Sequence, residues 1–272
     1  MPSTYAHLRF GKEVKEFVFP EGKKVIEEYP ELFLIGLHGP DILFYYHPLF
    51  PNRINAIGYG THEKSGKEFF ENAARVIKKN KGNAAYLSYI YGFICHFVLD
   101  VRCHRYIDEK IAESGVSHAE IEVEFDRELM VRDGFDPITR VLTNHINPSD
   151  FNAGIISAFF EGTTEKQVKK ALKGMIFNNN LLIAPSHIKR WFVSLLLKIS
   201  GNYKEMHGLM VNFEKNPQCE DSTEKLTNLY IGAVPNAAQL IREFYEYLNE
   251  LGSLNMLYQY SFGSKLIENE GQ

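Results

Sequence analysis

Cysteine is scarce in this chain, three in 272 residues: Cys95, Cys103 and Cys219. So small and odd a set excludes a disulfide framework and suits a reducing compartment. A charge excess is lacking as well. Thirty Lys and Arg stand against 34 Asp and Glu, a formal net of −4, so the whole-chain charge gives no electrostatic reason for strong binding to nucleic acid or to an anionic membrane. Long apolar runs are missing. Residues 1–18 carry spread charges and no signal-like stretch. The most apolar segment, Ala84 to Leu99, falls short of the roughly 18–20 residues that span a bilayer. It carries His96 and runs into Asp100, which favours a buried core helix over a transmembrane segment. A cytoplasmic location is the expectation. No Gly-rich phosphate loop, His-Glu-x-x-His or adjacent His-Asp pair occurs.

Strand signals are absent too: no alternating Val, Ile and Thr run lies between turn residues, and no repeat or low-complexity linker interrupts the chain. Instead, 44% hydrophobic residues recur at helical spacing, enough in a chain of this length to bury a core without metal or disulfide. The expectation is one all-α, multi-helical domain over residues 1–272, built around a buried metal-binding helix. Helices are expected at Tyr5–Phe17, from Lys23 to Tyr29 with a stop before Pro30, at Lys64–Lys79, Ala84–Arg105 and Ser117–Val131. Others follow at Pro148–Phe160, Thr164–Met175, Ser186–Ile199 and Pro235–Leu251. Residues 36–62, rich in Gly, Pro, Asn and aromatics, read as a long shaped loop with room for one helical turn, and Asn178–Asn180 as a short turn.

Metal-ligand residue types crowd into the first 122 positions. His96, Asp100 and His104 lie four apart, which puts them on one slowly drifting helix face. At about 1.5 Å rise per residue, the Cα atoms of His96 and His104 are about 12 Å apart, while metal–ligand bonds are about 2.0–2.2 Å long. The two histidines therefore suit different ions, with Asp100 placed to bridge. A single His in an apolar helix is usually a hydrogen-bonded core residue; three ionisable groups on one face need something to satisfy them. His118 and Glu122 form a second i, i+4 pair, Asp41 and His62 fall in the shaped loop, and His7 lies on the first helix.

In this order and spacing, His7, Pro40-Asp41, His62, His96-xxx-Asp100-xxx-His104 and His118-xxx-Glu122 resemble the zinc-dependent phospholipase C family and the single-strand nucleases of its superfamily. The resemblance covers residues 5–125; residues 126–272 resemble nothing recognisable. It implies an all-helical fold with two or three zinc ions and a zinc-activated water that attacks a phosphodiester. By this resemblance Asp41, His62, His96 and Asp100 bind one zinc, and His104, His118 and Glu122 a second. Asp100 bridges to a third, which His7 ligates, and Asp41 doubles as general base. The family completes the third site with an N-terminal Trp. The only tryptophan here is Trp191, so a dinuclear site is also open, with the Met1–Pro2 terminus folding back as the candidate substitute for the third.

The implied substrate is a phospholipid head group, with a soluble phosphate ester or nucleotide as the competitor and no stable nucleic-acid complex. Phe44, Tyr45, Tyr46 and Phe50 beside Asp41 fit a lipid or base contact and fit core packing equally well. A non-catalytic zinc-binding domain with a closed coordination shell is the reading from another class. Cys95 and Cys103 read as packed thiols, and His38 and His47 as loop residues or phosphate contacts. His145, His187 and His207 have no partner pattern. The basic-aromatic cluster at 187–191 is too short to argue for nucleic acid. The apolar face from Trp191 to Leu197 suits either core or an oligomer contact.

Overall fold

The computed structural model describes residues 4–267, the side chains of Lys204 and Glu205 aside. Among them are twelve α-helices and no β-strand: α1 (Thr4–Phe17), α2 (Pro20–Glu28), α3 (Pro30–Gly36), α4 (Arg53–Glu63), α5 (Gly66–Lys79), α6 (Ala84–Ser114), α7 (His118–Arg132), α8 (Asp150–Ser157), α9 (Glu165–Leu182), α10 (His187–Ile199), α11 (Tyr203–Met206) and α12 (Glu220–Leu248). Short 3-10 turns add to these, the longest at Gly39–Tyr45. The all-α expectation holds.

Side-chain caps start most of the helices. Asn52, Asn83, Ser117, Ser149 and Ser186 each accept a backbone N–H of the first turn, and Thr164 with Gln167 closes a capping box. The axis is α6. It runs nine residues beyond the expected end at Arg105, because Ile107 and Ile111 keep an inward face, and it stops where Gly115 turns left-handed at φ 69°. By length and composition α6 passes for a membrane span, yet 89% of that window is packed inside the protein. It is the core helix, with α1, α2, α3 and α12 laid against it.

Residues 36–62 are not a loop. The 3-10 helix Gly39–Tyr45 and helix α4 fill most of the segment, clamped together by Asn55. The buried Asn55 amide donates to the carbonyls of Leu43 and Phe44 at 2.9 Å each, serving the acceptors that end the 3-10 turn. Pro30 does end α2, but it also opens α3 at the first helical position, where its missing N–H costs nothing. Pro235 does not start a helix: α12 runs through it, and the residue four before it, Ile231, is exposed, so the freed carbonyl lies on the solvent side. Asn178–Asn180 stays inside α9, where Asn178 and Asn179 donate back to the carbonyls of Gly174 and Met175.

The crossing of α3 over α6 sets the depth of the next turn. A Cβ on Gly36 would lie 2.2 Å from the Tyr89 carbonyl, and one on Gly92 2.1 Å from that of Phe33. The two backbones touch, and the chain leaving α3 is delivered against the His96 ring. There Gly39 takes φ 49° in a space that a side chain would fill with that ring.

Candidate metal centre

All eight expected ligand residues converge on one buried region. His7 comes from α1, Asp41 from the 3-10 helix, His62 from the end of α4, His96, Asp100 and His104 from α6, and His118 and Glu122 from α7. His62 therefore sits on a helix, not in a loop. Three subsets bring one ligand atom per residue within 4.8 Å of each other: His7, His96 and Asp100; Asp41, His62 and His96; and His104, His118 and Glu122. His96 and His104 share no subset, as their rise along α6 requires.

Asp100 is the junction. Its Oδ1 lies 3.2 Å from His7 Nε2, and its Oδ2 lies 3.2 Å from His96 Nε2 and 3.9 Å from both His62 Nε2 and His104 Nδ1. Asp41 Oδ1 is 2.9 Å from His62 Nε2, and Glu122 Oε1 is 3.0 Å from His118 Nε2 and 3.6 Å from His104 Nε2. Between the first and third groups, a cavity of about 20 Å³ is lined by His7, Asp100, His104 and Glu122.

The tautomers of two rings follow from their outer partners. A carbonyl only accepts, so His104 Nδ1–H donates to Phe262 O at 2.7 Å and His62 Nδ1–H to Gly58 O at 3.1 Å. Each ring thereby turns its Nε2 toward the centre, the arrangement usual for an imidazole ligand.

Electrostatics couples the groups. Burial resists the charge on Asp100, but His96, His104 and His7 outweigh it and hold the carboxyl well below its usual range. Glu122 is depressed likewise, burial being overcome by His118 and His104. For His104, burial disfavours the proton, while Asp100 and Glu122 win and raise it to about 10.

The residues present fit zinc. Both carboxylate oxygens of Asp41, both ring nitrogens of His96 and Oε2 of Glu122 are buried with no hydrogen-bond partner among the described residues. Leaving such atoms unpaired is expensive, and a cation among imidazole nitrogens and carboxylate oxygens satisfies them together. The Met1–Pro2 terminus, the candidate substitute for a terminal ligand, lies outside the described residues.

The zinc-dependent phospholipase C family model matches residues 6–177. The chain belongs to that family. The family is one of zinc-dependent hydrolases with the all-α fold seen here. The match ends within α9, so the relationship extends well beyond residue 125, where the sequence resemblance ends. Comparisons with curated proteins and with solved structures each found no match.

Sequence reasoning missed several residues around this centre. Asp126 accepts the backbone N–H groups of Tyr5 at 2.9 Å and Ala6 at 2.7 Å, capping α1 one residue before His7. Its signal was present: His118, Glu122 and Asp126 lie four apart on α7, one face with three ligand-type side chains. His145, to which no role was given, pairs with the buried His38, Nε2 to Nε2 at 2.6 Å, and only folding joins these two. His47 stays outside the centre, against the Tyr46 ring at 4.7 Å. Cys95 and Cys103 are buried free thiols, pushed up by burial and absent from every candidate group.

Proposed function

We propose that this chain is a zinc-dependent phosphodiester hydrolase of phospholipase C type, cleaving the head group from a phospholipid. The observation that carries the reading is the row of three donor groups, two sharing His96 and the third next to Asp100 through His104, with buried lone pairs left unbonded. His7, Asp41, His62, His96, Asp100, His104, His118 and Glu122 would hold two or three zinc ions. When bound, such ions lower the pKa of a water and neutralise phosphoryl oxygens. The chain's own part is to fix the donors, exclude bulk water and take the proton. Asp41, buried with its oxygens free of hydrogen bonds, is the base in this proposal.

Two observations favour a lipid over a nucleotide. Phe44 and Tyr45 are buried, Phe44 stacked on Tyr59 at 4.2 Å and tilted toward His62, so they form no open platform for a base. Beside them an open groove of about 500 Å³ is walled by Tyr45, Pro48, Leu49, Phe50 and Phe177, with Lys170 and Lys173 at its edge. That is a surface suited to an acyl group next to an anionic head group. Against a closed structural site, the side chains of His62 and His118 keep 21% and 34% exposure, giving the centre a solvent edge. Three buried free thiols support a cytoplasmic location.

The test combines metal content with the variant Asp100→Asn. Elemental analysis of untagged protein should give two or three zinc per chain. Asp100→Asn, which keeps the shape and removes the bridging charge, should lose metal and more than about 100-fold of phospholipid hydrolysis. Full metal occupancy and full activity in that variant would overturn the assignment.

A further inference from the structure

Helix α10 is apolar on two opposite faces, and only one of them is covered. Val193 and Leu197 pack with Ala184 and Met210 into a small core of their own, apart from the main one. On the other side Ile188, Trp191, Phe192, Leu195, Leu196 and Ile199 are all exposed, Ile188 by 83%, Trp191 by 65% and Ile199 by 76%. At about 100° per residue these six fall within an arc of about 140°, a continuous stripe. Lys189 and Lys198 fall at its two margins, Lys189 Nζ donating to the Asn180 carbonyl at 3.2 Å and Lys198 Nζ lying over the Tyr203 ring at 4.9 Å. Arg190, on the covered side, donates to the Val211 carbonyl and lies over the Phe213 ring at 4.4 Å, tying the helix to the chain that follows.

The charge on this helix has one sign: α10 carries Lys189, Arg190 and Lys198 and no Asp or Glu. From residue 166 to residue 204 there are eight lysines and arginines and not one Asp or Glu, although the whole chain is net negative. A second copy of the chain set against this face would bring like charges together at both margins. An anionic bilayer meets both requirements, apolar depth under the stripe and negative head groups at its rim.

Its position ties the stripe to the metal centre. The turn after α11 packs on α7, where a Cβ on Gly208 would come 3.0 Å from Ser117 Oγ. Asn212 donates to Glu124 at 3.0 Å, and the Arg127 guanidinium reaches the carbonyls of Asn212 and Phe213. The α10 hairpin is thus fastened to the helix that carries His118, the most open of the eight candidate ligands.

We propose that α10 is an interfacial docking helix that lays its Ile188–Ile199 stripe into an anionic phospholipid surface beside the catalytic centre. This goes beyond the phospholipase reading, on which it rests only for the expectation that docking raises turnover of membrane lipid.

Trp191 is the only tryptophan, so the zinc-loaded full chain reports on itself. It is mixed with vesicles of phosphatidylcholine alone or with one third phosphatidylglycerol, and emission is read before turnover alters the lipid. The expected result is a blue shift on the anionic vesicles, quenched by acyl-brominated lipid and weakened by salt. The double variant Ile188→Glu, Ile199→Glu changes only exposed side chains. It should partition into anionic vesicles about tenfold less and hydrolyse them correspondingly more slowly. A water-soluble short-chain phosphatidylcholine should be cleaved as by the parent. No blue shift, or unchanged vesicle binding in the double variant, overturns the proposal. So does a blue shift that grows with protein concentration without lipid, which would mean a second copy covers the stripe. Docking without cleavage of any phospholipid would sink the phospholipase reading and leave this one standing; cleavage of short-chain lipid without docking would do the reverse.

Discussion

Asp126 and His104 show how single side chains set the centre. With two charge-assisted hydrogen bonds to the start of α1, Asp126 fixes where His7 enters the site. Asp126→Ala should cost about 1–3 kcal/mol, seen as a lower Tm, and should weaken the ion that His7 would hold before the one at His118 and Glu122. Zinc titration followed by elemental analysis separates the two. His104 carries the pH dependence. In the metal-free chain its raised proton affinity contributes stability that is whole below its ordinary value of 6.5 and is lost as pH rises through about 10. The depressed carboxyls of Asp100 and Glu122 contribute above their ordinary values of 3.8 and 4.5 and lose that contribution in acid. Burial holds His38 and His145 below the usual imidazole range, so their contribution falls away as pH drops under 6.5, and metal-free melts should peak near pH 6.5. Zinc has to displace the His104 proton, so the Tm gap between zinc-loaded and metal-free protein should widen from pH 6 to pH 8. A constant gap would exclude His104 as a ligand.

At the scale of elements, the close crossing of α3 and α6 decides whether Asp41 can meet His96. Gly92→Ala drives a methyl into the Phe33 carbonyl, and neither backbone can yield, so a loss of more than about 2 kcal/mol in a denaturant melt is expected. Gly232→Ala, in α12 with open space around the new Cβ, should instead stabilise by about 0.5–1 kcal/mol. Most helices were legible because their caps and periodicity are local, as at Ser117, Asn83 and the Thr164 capping box. The segment 36–62 was not, since a 3-10 helix opening on Gly39 and Pro40 has no 3.6-residue period. It is held by Asn55, a hydrogen-bonding residue whose use depends on what folds over it. Pro235 misled for the complementary reason: a proline breaks a helix unless the carbonyl it frees reaches water, which burial alone reveals.

For the whole molecule, metal and fold are one equilibrium, because the eight candidate ligands come from five elements that meet only in the native state. Zinc at about a thousandfold over its dissociation constant should add about 4 kcal/mol per site, so chelation should lower Tm sharply and zinc restore it. A Tm indifferent to chelator would reduce the centre to a polar network. The sequence by itself determined the all-helical class and the shared face of His96, Asp100 and His104 on α6, because i, i+4 spacing is a local geometric fact, and its resemblance pointed to the family. Tertiary structure alone decided that Asp126 anchors His7 and that His38 meets His145. It also decided that one face of α10 is core and the opposite one bare. These turn on which surfaces are covered and which distant residues touch, and a linear pattern of apolar and polar residues does not specify either.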